Sequence, residues 1–231
     1  MSPATGGISA RALGLRTRSG WVYRDVDLEV PGGSLAVVTG PARSGKSALL
    51  LTLAGRMRAG EGDLAVAGID ARRRPHSMRR LVGLGEFRGV NDLDDTLSVG
   101  DQVMAELALH GRHWRGARAA AVLEPLCPAI DHATTVRDLG ATERLLLGAA
   151  LGLIGGPPLL VIDEIDEDTT PEETGAVLDA LRRLNEAGVT VVAGALDPGL
   201  APAADVTLAL TADGSPAGTA TLEEVGLDAL V

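Results

Sequence analysis

Gly40-Pro-Ala-Arg-Ser-Gly-Lys-Ser47 decides how this chain is read. The run matches G-x-x-x-x-G-K-[ST], a loop whose glycines let backbone N–H groups turn inward on phosphate oxygens. Lys46 is the only lysine in the sequence, and every other permanently basic side chain is an arginine. It therefore stands at the one position where a compact ammonium has to reach between phosphate groups. The Ser47 hydroxyl is placed to coordinate Mg²⁺, and the loop amides from Arg43 to Ser47 to cradle the phosphates. Working outward, Ser34–Thr39 reads as a buried strand and Ala48–Ala54 as a helix, so the loop delivers an anion to a helix N-terminus. The candidate nucleotide-binding residues are Gly40, Pro41, Ala42, Arg43, Ser44, Gly45, Lys46, Ser47 and Ala48.

A second stretch completes the chemistry. Leu159-Leu-Val-Ile-Asp163-Glu164 is an apolar strand ending in two carboxylates. Asp163 is placed to hold Mg²⁺ through water beside the phosphate loop, sharing the metal with Ser47. Glu164 is the candidate catalytic base, able to polarise an attacking water. Asp166, Glu167 and Asp168 are expected to be solvated loop charges.

The 231 residues suffice for one domain with an inserted lobe, and a net charge of −10 with a pI near 4.8 argues against a nucleic-acid-binding face. The arginines at 72–74 and 79–80 read as a solvated face. A single cysteine, Cys127, excludes an internal disulfide and fits a reducing cytoplasm. No secretory signal is legible at the start. The apolar stretch Leu145–Ile162 is long enough to span a membrane, but Gly155-Gly-Pro-Pro158 divides it, so any membrane role comes through a partner.

Along the chain, the first ten residues read as a tail, followed by short strands at Arg11–Thr17 and Trp21–Val30 and another at Asp63–Gly68. Helical spacing appears in Leu97–Leu109 and Ala117–Glu124. From Glu143 helix and strand alternate: a helix to Ile154, the Asp-Glu strand, a helix opened by Thr170-Pro-Glu-Glu173, then strands at Val189–Ala195 and Asp205–Leu210, and a terminal helix from Leu222. This order implies an α/β fold with a parallel sheet core, an antiparallel N-terminal β portion and an inserted helical subdomain. The core is expected at about 10–91 and 137–231 and the helical subdomain at about 92–136. Aromatics are scarce. Trp21 and Tyr23 could stack on a base, or simply pack a thin sheet.

Phosphate loop, helical insertion, and a helix running into an Asp-Glu strand together resemble the nucleotide-binding domain of ABC transporters, over roughly residues 10–228. The resemblance implies a P-loop NTPase fold, ATP and Mg²⁺ as cofactors, and a dimer, homo- or heteromeric, with another ATPase subunit. It also implies a membrane-embedded permease partner and a cytoplasmic location at the inner face of the membrane. Several of the family's groups are altered. The signature, typically Leu-Ser-Gly-Gly-Gln, is Leu139-Gly-Ala-Thr-Glu143, which lacks the serine and the glycine pair; Thr142 offers a displaced hydroxyl. Leu196 lies where a switch histidine is expected. The family's glutamine belongs near Glu86–Arg88, with Glu86 the nearest polar substitute; Gln102 comes too late. The aspartate expected shortly after Glu164 is matched out of register by Asp168.

The expected function is therefore an ATP-binding transporter subunit that hydrolyses ATP slowly or only with a partner. The alternative is a nucleotide-dependent regulatory or binding module that never drives transport. A phosphate-binding metabolic kinase would need an acceptor site, and none is legible. Gly85–Asp95 is expected to be an exposed loop displaying Phe87, Val90 and Leu93, where a partner with a basic coupling segment would dock.

Overall fold

The structure, a computed structural model, describes residues 6–110, 123–218 and 221–222. Two sheets organise it. The first is antiparallel: β1 (Ile8–Thr17) lies between β2 (Gly20–Val30) and β4 (Glu61–Val66), with β5 (Ile69–Asp70) at its edge. In the second, β9 (Val206–Ala209), β3 (Leu35–Thr39), β8 (Thr190–Ala195), β7 (Leu159–Ile162) and β6 (Val82–Leu84) run parallel in that spatial order. β10 (Thr221–Leu222) pairs antiparallel with β9. Among the described residues, helix α1 (Lys46–Leu53) follows β3, α2 (Pro75–Arg79) precedes β6, and α3 (Val99–Leu109), α4 (Ala141–Gly152) and α5 (Pro171–Glu186) come later in the chain.

The central strands β3, β7 and β8 are buried at every position because both their faces are covered. Val37, Leu160, Ile162, Val191 and Ala193 face one core with α4 and α5. Ala36, Val38, Leu159, Val161 and Val192 face the other, shared with α1 and the antiparallel sheet. The lobe residues Val99, Val103 and Leu107 of α3, with Leu123, Leu126 and Ile130, continue the first core. The helix starts follow their caps. Ser98 accepts from the Asp101 N–H, and Thr170 and Glu173 form a reciprocal capping box with Pro171 in the first turn.

Several expectations are corrected. The first ten residues are not all tail: β1 begins at Ile8, whose side chain is buried because it sits between β2 and β4, opposite Val30 and Val66. Strand β6, short and interrupted by Gly83, carries no alternation and was not legible; it is held by parallel pairing with β7. Leu222 pairs in a strand instead of opening a helix, and the rest of that expected helix lies outside the described residues, as do positions 117–122 of the second lobe helix. The Gly85–Asp95 loop displays only Val90. Phe87 and Leu93 are buried, because the Asn91 and Asp92 side chains fold the loop back by accepting from the N–H groups of Phe87 and Gly89. Among the described residues, no helix is long and apolar enough to cross a membrane.

Tyr23 takes the packing alternative. Its ring is buried between the two layers, its hydroxyl donates to Thr52 Oγ1 on α1 at 2.8 Å, and burial pushes its pKa up to about 12. Trp21 stays half-buried under the Arg16 guanidinium, 5.4 Å from the ring centre. Tyr23→Phe is expected to lower the unfolding free energy by about 1 kcal/mol, measured in urea, because it deletes one buried hydrogen bond without opening a cavity.

Candidate functional site

The phosphate-type loop runs from the end of β3 to the start of α1, and its shape is set by close backbone packing. Gly45, the N-cap of α1, has φ 87°, and a Cβ there would lie 2.1 Å from the Val22 carbonyl oxygen. Only glycine fits. Arg43 also adopts a positive φ of 68°, so the loop turns its amides inward over consecutive residues. The first turn of α1 adds the N–H groups that a helix leaves without intrahelical partners.

Lys46 is 6% exposed, and its Nζ donates to the carbonyls of Gly40 at 2.5 Å and Pro41 at 3.0 Å. Burial pulls its pKa down, while the charges of Asp163, Asp166 and Glu164 push the other way. Ser44 is buried within the same loop, and its hydroxyl has no hydrogen-bond partner. A cationic side chain and an unpartnered buried hydroxyl inside a curl of amides form a donor set suited to a polyanion. Gly40, Pro41, Ala42, Arg43, Gly45 and Ala48 supply the backbone of that curl; Pro41, Ala42 and Arg43 stand exposed at its rim.

The two acids at the end of β7 arrive beside it. Asp163 is buried, which raises its pKa; the neighbouring Ser47 hydroxyl and the Glu164 N–H, which donates to Oδ1 at 2.9 Å, both favour the carboxylate. Gly194 on β8 leaves the room, since a Cβ there would come within 2.2 Å of Asp163 Oδ1. The pairing of Ser47 with Asp163 sets two oxygen donors together, the chemistry Mg²⁺ prefers. Glu164, at φ 55°, has its carboxyl pKa raised to about 7 by desolvation, by a hydrogen bond and repulsion from Glu167, and by the Asp163 charge, against which the Arg88 charge acts.

Arg88 was not singled out by sequence reasoning. It spans the acids after β7, 4.0 Å from Glu164, 3.0 Å from Glu167 and 3.4 Å from Asp168. Its only sequence signal is its place where the family's glutamine is expected. Glu86, the substitute expected there, lines one small cavity with Asp163 and Glu164, but its carboxylate is taken: Arg144 on α4 grips it at 2.6 and 2.9 Å and reaches Asp95 as well. The side chain of Glu86 is nearly sealed, so the carboxylate is spent on that buried pair. Asp166 is not a solvated loop charge either. It accepts from the N–H groups of Leu196 at 2.9 Å and Asp197 at 2.6 Å, fixing the turn after β8 where the switch histidine was expected. In the altered signature, the Glu143 carboxylate accepts from the Gly140 N–H, and the Thr142 hydroxyl is buried without a partner.

A buried lysine in an amide curl, facing an Asp-Glu strand end across a parallel sheet, defines a phosphate-loop nucleotide-binding protein. Comparison with known proteins specifies which. The sequence profile of the ABC transporter family matches residues 23–167, and the chain belongs to that family. It is 30% identical to the phosphonates import ATP-binding protein PhnC of Hyphomonas neptunium, over 72% of this chain and 68% of that protein. It is 32% identical to a methionine import ATP-binding protein of Burkholderia lata, over 75% of this chain but only 52% of the relative. The fold superposes on the ATP-binding cassette MJ0796, solved as a dimer with ADP and Pi, with a TM-score of 0.79 at 20% identity, covering 94% of this chain and 99% of that one.

With Glu164 as the base that the sequence suggests, its raised pKa predicts a pH dependence of kcat/KM for ATP hydrolysis, since that quantity reports the free enzyme. The rate is expected to fall as pH drops below about 7, where the carboxylate gains a proton, and to level off above it. Arg88→Gln removes a charge that favours the carboxylate and should move that limb to higher pH. Glu167→Gln removes one that opposes it and should move the limb lower. Steady-state pH profiles of the three proteins check both directions.

Proposed function

We propose that this chain is the ATP-binding subunit of an ABC-type transporter, binding Mg·ATP and turning it over slowly or only with a partner. The observation that carries the reading is the burial of Lys46 within reach of Asp163 and Glu164, in a loop with a spare buried hydroxyl at Ser44. The amides and side chains from Gly40 to Ala48 hold the phosphates. Lys46 exchanges its contacts with the Gly40 and Pro41 carbonyls for phosphate oxygens, trading neutral for charge-assisted hydrogen bonds. Ser47 and Asp163 hold Mg²⁺, which neutralises charge that builds on the phosphates. Glu164 takes the proton of the attacking water.

The altered groups support weak turnover by the chain alone. Leu139–Glu143 has no serine and no glycine pair to offer a partner's nucleotide, and Leu196 has no titratable group. Loss of one transition-state donor typically costs on the order of 10²–10³ in rate. The relatives named as import ATP-binding proteins favour a permease partner over an isolated regulatory module. The proposed setting is cytoplasmic, peripheral to the membrane through that permease and paired with a second ATPase subunit, homo- or heteromeric. The cleft between core and α3, behind Glu86–Gly100, is the proposed docking place.

Calorimetry on the purified protein tests the binding role. Lys46→Ala should lose most ATP affinity while keeping its unfolding midpoint, whereas Glu164→Gln should bind ATP as the wild type does and abolish the residual hydrolysis. Equal ATP affinity in Lys46→Ala, or fast turnover by the isolated wild type, would overturn the corresponding half of the reading.

A further inference from the structure

A cavity of about 910 Å³ lies in the cleft between the core and α3. Its floor is apolar, formed by Leu84, Leu93, Leu151 and Ile154. Its two banks carry opposite charges, and they differ in how far those charges are already used.

Of the acids of the lobe bank, Glu86 and Asp92 in the cleft wall and Asp94 and Asp95 beside it are engaged within the chain, while Glu106 has, among the described residues, only a histidine near it. Glu86 is held by Arg144 and also accepts from the Leu93 N–H at 3.2 Å. Asp95 pairs with the same arginine. Asp92 accepts from the Gly89 N–H at 2.8 Å, and Asp94 from the backbone and hydroxyl of Thr96 at 2.9 and 2.6 Å. Glu106 lies 3.7 Å from the His110 ring. The core bank is the reverse. Arg56, Arg79 and Arg80 line the cleft and are exposed, and among the described residues none has a carboxylate within ion-pair distance. Arg79 spends only its Nε, on the Gly55 carbonyl at 3.1 Å. Arg56 is held below the usual guanidinium range by partial desolvation and by the neighbouring Arg79 charge, so the ridge concentrates like charge without relief.

We infer that the segment received by this cleft is acidic: a short amphipathic stretch of the membrane partner, its carboxylates against Arg56, Arg79 and Arg80, its apolar side chains over the floor. This rests on the docking reading above and reverses the sign that the acidic composition of Gly85–Asp95 suggests. Arginine forks pair carboxylates bidentately, so an acidic segment gains directional contacts there, while a basic one meets acids that, Glu106 apart, already accept from the chain itself. The formal charge of −10 acts the other way at long range. Preference for an acidic segment must therefore come from contact with the ridge, not from the field of the whole chain.

That opposition makes the test discriminating. Two synthetic amphipathic peptides share one leucine-alanine face and carry either glutamates or lysines on the other; fluorescence anisotropy follows their binding at physiological salt. The glutamate peptide is expected to bind the wild type roughly tenfold tighter than the lysine peptide. The triple variant R56Q/R79Q/R80Q should erase that preference with unchanged ATP affinity. Leu109→Asp, at an exposed position lining the same cleft, should weaken the glutamate peptide and so place it there. Tighter binding of the lysine peptide, or undiminished glutamate-peptide affinity in the triple variant, would overturn the charge assignment while leaving the docking place intact. Binding of neither peptide would remove the docking reading and the inference with it. Sedimentation with phosphatidylserine vesicles that needs the three arginines, without discrimination between peptides, would assign the ridge to lipid headgroups instead.

Discussion

Burying one ammonium beside one carboxylate is the constraint on which this molecule is built. Lys46 and Asp163 are both nearly sealed from water, and each is compensated there: the ammonium by the Gly40 and Pro41 carbonyls, the carboxylate by the Glu164 N–H. Burial lowers the Lys46 pKa and raises that of Asp163, each shift favouring the neutral form, and the attraction between the two charges opposes both. The rest of the architecture serves that encounter. β3 and β7, separated by β8, end on the same side of the parallel sheet and deliver the two residues there. Gly194 of the intervening β8 keeps the gap open, and Gly45 brings the loop against Val22 of the antiparallel sheet. Glycine is needed at both places because a methyl group would strike backbone or carboxylate.

Around that pair lies a set of acids whose roles differ by partner, not by type. Asp163 is buried and hydrogen-bonded; Glu164 is half-covered and crowded by Glu167, which favours its protonated form; Asp166 is consumed by two backbone N–H groups. Five residues of sequence, Asp163–Glu167, thus give a buried carboxylate, a carboxyl tuned toward neutrality and a structural acceptor. Arg88 bridges the last of them to the loop after β6, and Arg144 ties that same loop, through Glu86, to the helix that begins at the altered signature. The phosphate loop's surroundings and the lobe are therefore connected by two arginines anchored in acids.

Both arginines escaped sequence reading for one reason. An ion pair between residues 58 positions apart leaves no periodicity or spacing. The same holds for Phe87 and Leu93. Among turn-formers and acids they read as exposed, yet side-chain acceptors from Asn91 and Asp92 satisfy the loop's amides locally and let it fold inward. Strand β6 is three residues long, too short for a pattern, and its existence depends on β7 being there to pair with.

What the sequence by itself determined were the features encoded by local chemistry. The glycine-rich loop with its single lysine, the apolar strands at 35–39, 159–162 and 190–195, and the Thr170–Glu173 helix start each follow from steric and hydrogen-bonding demands within a few residues. These were enough for the fold class, and they brought the phosphate-loop and strand-end residues forward as the candidate site. The tertiary structure alone decided which charges remain free. Tyr23 became core because two layers closed over it, Glu86 was taken by Arg144, and Arg56, Arg79 and Arg80 were left facing the cleft. Charge on a side chain is local information; its compensation depends on what folding brings within hydrogen-bond distance, and that distance is not written along the chain.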